Sequence, residues 1–238
     1  MQVDAIYNED CVAGMRKLPA NSVDLCVTSP PYKDEDGYSS VFMSTCASGV
    51  FRVLKRDSLC FVNFGHLAEH KARPFEVVRL FEVRGFILQE TFIWVKNHYR
   101  PIQGKKRVNN LTEFVFMFSK GKMPDLDRLS IGIPYADKSN VKRFAGGRDL
   151  KCAGNVWNID YETIQSKAQK LHNDRFPVEL PTRCIKLANL KAGSVVLDPF
   201  AGSFTTCLAA KKLGMNYLGY EISVDNYKVG TERLNEHL

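Results

Sequence analysis

At 238 residues with 45% apolar side chains, the chain is long enough to bury one substantial core, which excludes a disordered segment or a disulfide-stapled mini-domain. A formal charge of +7 favours a polyanionic partner, because lysines and arginines that neutralise phosphates release condensed counterions. No run approaches the length of a membrane span, Met1-Gln2-Val3-Asp4 has neither the basic nor the apolar region of a secretory signal, and the expectation is a soluble, cytoplasmic protein.

Strand-like apolar runs alternate with helix-length segments, the pattern of a mostly parallel sheet covered on both faces. In chain order the spacing predicts a strand over Ala5 to Tyr7, a helix over Val12 to Leu18 and a strand over Val23 to Thr28. A helix over Tyr38 to Leu54, a strand over Ser58 to Asn63 and a helix over Leu67 to Val83 follow, with apolar positions recurring every three and four residues in the helices. Ile87 to Val95 and Glu113 to Phe118 read as antiparallel neighbours across the connection from Lys96 to Thr112. Regularity is then lost between Met123 and Lys170. Lys138, Lys142, Arg143, Arg148 and Lys151 stand there among Gly146, Gly147 and Gly154 and the aromatics Tyr135, Phe144 and Trp157. Cations beside aromatics suit phosphates and bases, although a solvated loop has the same composition. Order returns at Phe176, with a helix from Pro177 to Leu187, a strand at Val195 to Leu197, a helix at Ser203 to Leu213, a strand at Tyr217 to Glu221 and a terminal helix at Asp225 to Leu238. Cysteines at 11, 26, 46, 60, 152, 184 and 207 lie mostly in apolar runs with no Cys-x-x-Cys spacing. They read as free thiols, and no metal is expected.

Two segments carry chemistry. Thr28-Ser29-Pro30-Pro31-Tyr32 leaves a buried strand at its C-terminal end, where open α/β sheets place their sites. Two prolines remove two amide donors and leave carbonyls free to accept, which with a hydroxyl and an aromatic face suits a flat ligand bearing an amino group. A rigid turn with a packing tyrosine is the plainer reading. Val195 to Thr206 is a strand, a small-residue turn and a helix start; Gly202 permits close backbone approach, while Ser203, Thr205 and Thr206 can cap or present donors. Glu221 ends the next strand, at the distance where nucleotide-binding units place a carboxylate on ribose hydroxyls. Phe204 occupies the place of a last phosphate-cradling glycine, which speaks against a nicotinamide dinucleotide and for a cofactor without pyrophosphate.

Thr28 to Tyr32 resembles the catalytic motif of the exocyclic-amino DNA methyltransferases, which methylate N4 of cytosine or N6 of adenine. Asp198-Pro199-Phe200-Ala201-Gly202-Ser203-Phe204-Thr205-Thr206 resembles their cofactor loop, with Phe204 in place of the usual glycine. Asn8-Glu9-Asp10-Cys11 is similar to their Gly-Asp-Cys element, and His172 to Leu180, with Phe176-Pro177, to the segment lining the methionyl end. Trp94-Val95-Lys96 with Glu113 to Lys120 resembles the strand pair behind the target-base pocket. The catalytic motif precedes the cofactor loop, which matches the beta arrangement of the family.

The resemblance implies a circularly permuted, Rossmann-like α/β methyltransferase fold, with a mostly parallel seven-stranded sheet, one antiparallel strand and a short irregular target-recognition insertion. Residues 1–122 would be the catalytic half, 123–170 the DNA-reading segment and 171–238 the cofactor half of the same domain. It implies S-adenosylmethionine as cofactor, held by Asp10, Cys11, Thr28, Phe176, Pro177, Asp198, Pro199, Phe200, Gly202, Ser203, Thr205 and Glu221. Ser29, Pro30, Pro31 and Tyr32 would act on a base flipped from double-stranded DNA, and Lys138, Lys142, Arg143, Arg148 and Lys151 would contact that DNA. Ser29, where adenine enzymes usually carry Asp or Asn, points to cytosine N4. Adenine N6 and a catalytically silent nucleic-acid binder are the alternatives, and a homodimer is a family expectation.

Overall fold

The computed structural model describes residues 2–32, 39–67, 69–97, 106, 108–139, 141, 148–161 and 176–236. The strands are β1 (Ala5–Tyr7), β2 (Val23–Thr28), β3 (Leu54–Gly65), β4 (Ile87–Val95), β5 (Thr112–Lys120), β6 (Val156–Asn158), β7 (Val195–Asp198) and β8 (Asn216–Tyr220). The helices are α1 (Cys11–Arg16), α2 (Ser40–Val53), α3 (Arg73–Val83), α4 (Glu179–Leu187), α5 (Thr205–Lys212) and α6 (Val224–Asn235). These strands form one sheet in the order β1-β8-β7-β2-β3-β5-β4-β6. The pairings are parallel except those of β5, which runs antiparallel to both β3 and β4.

Alternation along β3 explains the layering. Cys60, Val62 and Phe64 point to one face with α1, α2 and α3, while Leu59 and Phe61 point to the other with α4, α5 and α6. A strand buried on both faces reads as an unbroken apolar run, which is why Leu59 to Val62 shows little polar alternation. The β7 and β8 strands, from the C-terminal end of the chain, sit between β1 and β2 from its beginning.

The sequence expectations need three adjustments. Among the described residues the sheet has eight strands rather than seven, because β6 adds itself parallel to the edge strand β4 from within the stretch expected to be irregular. Three residues are too few to show a period. Trp157 of β6 is accordingly a core residue, fully buried with its ring 4.3 Å from that of Phe92, rather than an aromatic offered to bases. Helix α3 starts at Arg73 instead of Leu67, since Pro74 is tolerated only in a first turn. Finally, β3 runs longer than Ser58 to Asn63 and bulges against β2, where Val23 pairs with Leu54 but Leu25 with Leu59. No described helix is long and apolar enough to cross a membrane.

Candidate active site

The C-terminal ends of β1, β8, β7 and β2 lie side by side, so their loops converge. At β7, Asp198 is fully buried; its Oδ1 accepts from the Thr28 hydroxyl of β2 at 2.7 Å and from the Phe200 amide at 3.0 Å. Burial pushes this carboxyl up to about 6, with the Thr28 hydrogen bond pulling back. Asp198 and Thr28 therefore clamp β7 to β2 directly below the two loops.

Gly202 and Phe204 both have left-handed backbones, at φ 51° and 63°. A side chain rarely accepts that region, yet Phe204 does, and its ring is buried over Gly230 of α6 and edge-on to Tyr227 at 5.6 Å. The loop therefore keeps a conformation suited to glycine while the extra side chain turns away into the core. Beside it, the buried Ser203 Oγ finds no hydrogen-bond partner among the described residues, an unmet hydroxyl of the kind a bound ligand satisfies. Arg233 of α6 donates to the Ser203 carbonyl at 3.3 Å and to the Thr205 hydroxyl at 2.8 Å.

Glu221 braces the loop from β8. Its Oε2 accepts from the Gly202 amide at 2.8 Å and its Oε1 from the Ser223 amide at 2.7 Å, while burial raises its pKa. The Asn226 side chain and the Ile222 backbone also hydrogen-bond to this carboxylate. Asp10 caps α1 by accepting from the Ala13 amide at 2.8 Å, and Cys11 is buried in the core beside it. Pro199 is buried, Phe200 half-buried against Phe42, and Phe176 and Pro177 are buried, Phe176 in the core over α4. His172 to Arg175 lie outside the described residues.

Across the cleft, Pro30 is buried and Ser29, Pro31 and Tyr32 are half-buried. The Ser29 hydroxyl lies 3.2 Å from both the Tyr32 Oη and the Asn63 Oδ1. Tyr32 Oη reaches Asn63 Oδ1 at 3.1 Å and Glu113 Oε2 at 3.0 Å, and Glu113 is ion-paired through Oε1 with Lys96. The Tyr32 ring lies 4.4 Å from that of Phe64. Burial, then the Glu113 charge, raises the phenol pKa. Sequence reasoning found the strand pair but not the individual side chains Asn63, Lys96 and Glu113. Their signal was present: Asn63 and Glu113 are polar residues set at the ends of otherwise apolar strand runs.

Lys138 pairs with Asp149, Lys151 joins Ile133 in a two-residue antiparallel bridge, and Arg148 and Lys151 line a ≈ 210 Å³ depression with Arg128, Tyr135 and Leu150. Arg128 was not foreseen, being isolated in sequence from the other cations. Lys142 and Arg143 lie outside the described residues.

The family described as DNA methylase, N6/N4 type, matches residues 23–232. The orphan methyltransferase M.BamHII of Bacillus amyloliquefaciens is 30% identical, the alignment covering 91% of this chain and 90% of that protein. The DNA adenine methyltransferase YhdJ of Escherichia coli K12 is 26% identical, over 98% and 83% respectively. Among solved structures, the PvuII DNA methyltransferase (cytosine-N4-specific) has the same fold, with a TM-score of 0.77 at 22% identity over 98% of this chain and 90% of that one. TTHA0409 of Thermus thermophilus, solved in complex with S-adenosyl-L-methionine, gives 0.70 at 23% identity over 97% and 93%.

Proposed function

The chain belongs to the N6/N4 DNA methylase family, and from that premise we propose that it methylates the exocyclic N4 of cytosine in double-stranded DNA, with S-adenosylmethionine as the methyl donor. The donor supplies an electrophilic sulfonium methyl when bound. The unpartnered Ser203 hydroxyl, the left-handed turn at Gly202 and the Glu221 carboxylate that braces that turn fit it, and Asp10, Cys11, Thr28, Phe176, Pro177, Asp198, Pro199, Phe200 and Thr205 would shape the same cradle.

An amino group on a nucleobase is a poor nucleophile because its lone pair delocalises into the ring. The acceptor side must draw that lone pair out of conjugation, which the Ser29 hydroxyl and the Pro30 carbonyl do by accepting the two N–H bonds. The base must leave the duplex to reach them, and Tyr32, backed by Phe64, replaces part of the lost stacking. Rate enhancement is then orientation and electrostatics, and no nucleophilic cysteine is needed.

Ser29 carries the choice of cytosine. The similarity to an enzyme named as an adenine methyltransferase favours adenine N6 as the second reading. Tritiated methyl transfer into DNA followed by nucleoside analysis decides between N4-methylcytosine and N6-methyladenine, and unlabelled DNA would mean a silent binder. Tyr32→Ala is expected to lower transfer about 100-fold or more, by loss of a positioning group, with S-adenosylhomocysteine affinity nearly unchanged. Undiminished transfer would remove Tyr32 from the mechanism.

A further inference from the structure

The acceptor motif sits on a built polar cluster whose members the proposed reaction has not yet used. The Ser29 hydroxyl has one proton. To present lone pairs to an amino group it must give that proton to an acceptor on its inner side. Two are within reach, Asn63 Oδ1 and Tyr32 Oη, each at 3.2 Å. The Asn63 amide is pinned, since its Nδ2 donates to the Phe114 carbonyl at 3.0 Å, so Oδ1 must face the two hydroxyls. Tyr32 is a competitor. Its own proton can go to Asn63 Oδ1 at 3.1 Å, to Ser29, or to Glu113 Oε2 at 3.0 Å. If it went to either of the first two, the serine would lose an inner acceptor or be turned around.

Resting on the methyl-transfer reading above, we propose that Glu113, held by Lys96, is a positioning residue that draws the Tyr32 proton away from the cluster and thereby leaves Asn63 Oδ1 and Tyr32 Oη open to the Ser29 proton. A carboxylate accepts and cannot donate, so it fixes the direction of every hydrogen bond upstream. Lys96 is ion-paired with the other carboxylate oxygen and lies over the Trp94 and Tyr161 rings, 5.1 and 5.6 Å from their centroids. That position keeps the Glu113 charge compensated at a site where both side chains are largely buried. The register brings the parts together: Glu113 of β5 pairs with Gly65 of β3 on one side and Trp94 of β4 on the other. At Gly65 an added Cβ would stand 2.7 Å from the Tyr32 ring and 3.3 Å from the Glu113 carboxyl. The absence of a side chain at that position is what lets phenol and carboxylate meet.

The test is a double-mutant cycle on single-turnover methyl transfer, with duplex DNA and S-adenosylhomocysteine affinities measured on each protein. Glu113→Gln can donate as well as accept, and should slow transfer about 10-fold or more, the scale of losing one oriented donor or acceptor in a reaction centre, with both affinities within about twofold. Tyr32→Phe keeps the ring and removes the competing proton. In that background Glu113→Gln should then cost less than about twofold, because no phenol remains to be drawn off. A merely structural Glu113 would slow both backgrounds alike, and multiplicative effects overturn the proposal, as does an undiminished Glu113→Gln. If Glu113→Gln does not fold, Glu113→Asp substitutes: a shortened carboxylate should slow the enzyme that retains Tyr32 and leave the Tyr32→Phe variant unaffected, and equal slowing of both overturns the proposal. A wild-type protein that labels no DNA sinks the methyl-transfer reading itself, whereas an active wild type with an additive cycle sinks the role of Glu113 alone.

Discussion

Ser203 is only 6% exposed, its hydroxyl oxygen is buried, and nothing among the described residues satisfies it. An unsatisfied buried hydroxyl carries a desolvation cost that its removal relieves. Ser203→Ala should therefore leave the urea midpoint of the ligand-free protein unchanged or raised, while weakening S-adenosylhomocysteine about 3- to 10-fold, the worth of one hydrogen bond. Equal affinity in calorimetry would show that the hydroxyl does not meet the ligand. Thr28 and Asp198 make the opposite case, a buried pair fully engaged with each other. The folded-state pKa of Asp198, about 6, lies above its ordinary value of 3.8, so the native protein holds that proton more tightly than the unfolded chain. Its contribution is most favourable at low pH and declines as pH rises from about 4 through about 6, where the ionised form must be borne. Thr28 donates to that ionised form. Thr28→Val should cost about 1.5–3 kcal/mol at pH 8, the range for a hydrogen bond to a charged group, and distinctly less at pH 5. A penalty that does not change between the two pH values in urea unfolding would contradict the assignment.

The helix α5 begins on a residue that propensity would not choose. Phe204 holds a left-handed backbone, at a cost of about 1–2 kcal/mol for a residue with a Cβ, and the burial of its ring, worth about 1.5–3 kcal/mol, offsets it. Gly230 of α6 makes that burial possible, since a Cβ there would lie 2.5 Å from the Phe204 ring. Alanine is ordinarily better than glycine inside a helix by about 1 kcal/mol. Here overpacking should win, and Gly230→Ala should destabilise by about 1–2 kcal/mol. In a Phe204→Gly background the same substitution should turn stabilising, a reversal of sign that equilibrium unfolding of the four proteins detects. This pair also shows what the sequence could and could not tell. Phe204 was visible as a departure from the glycine expected in the loop, but its compensation is a glycine 26 positions later on another helix, which no local pattern links to it. The long elements were legible because their apolar periods span many residues; β6 was not, because it is short and its partner β4 lies far back in the chain. At the site, the motif residues Ser29 and Tyr32 were legible as local motifs. Asn63 and Glu113 reach them through strand register, and Lys96, just past β4, through its ion pair with Glu113, from three other places in the chain.

At the scale of the whole molecule, the placement of β7 and β8 between β1 and β2 makes the two halves one structure. Asp198 and Thr28 are joined, Glu221 is tied to the loop after β7, and the Asn8 amide donates to the Glu221 carbonyl at 2.7 Å. The loops after β2 and β7 and the Glu221 carboxylate thus share one frame, as the proposed direct transfer needs. On the proposed function, the cations that would hold DNA against that frame are those of the segment before α4. Lys138 is compensated by Asp149, but Arg128, Arg148 and Lys151 gather around one depression with no carboxylate among the described residues that line it. If they meet phosphates, each contact releases about one counterion and steepens the salt dependence of binding accordingly. Arg148→Ala and Lys151→Ala should therefore each lower the slope of log K against log salt by about 1, with similar losses on unrelated duplexes, because phosphate contacts position the protein without reading sequence. Lys138→Ala should lower it less, since the lysine's charge is already matched by Asp149. Fluorescence anisotropy on a labelled duplex between about 50 and 200 mM salt covers the range in which such slopes are read. Slopes unchanged in both Arg148→Ala and Lys151→Ala would move the DNA path off this depression, and a loss confined to one duplex sequence would make these cations readers of bases.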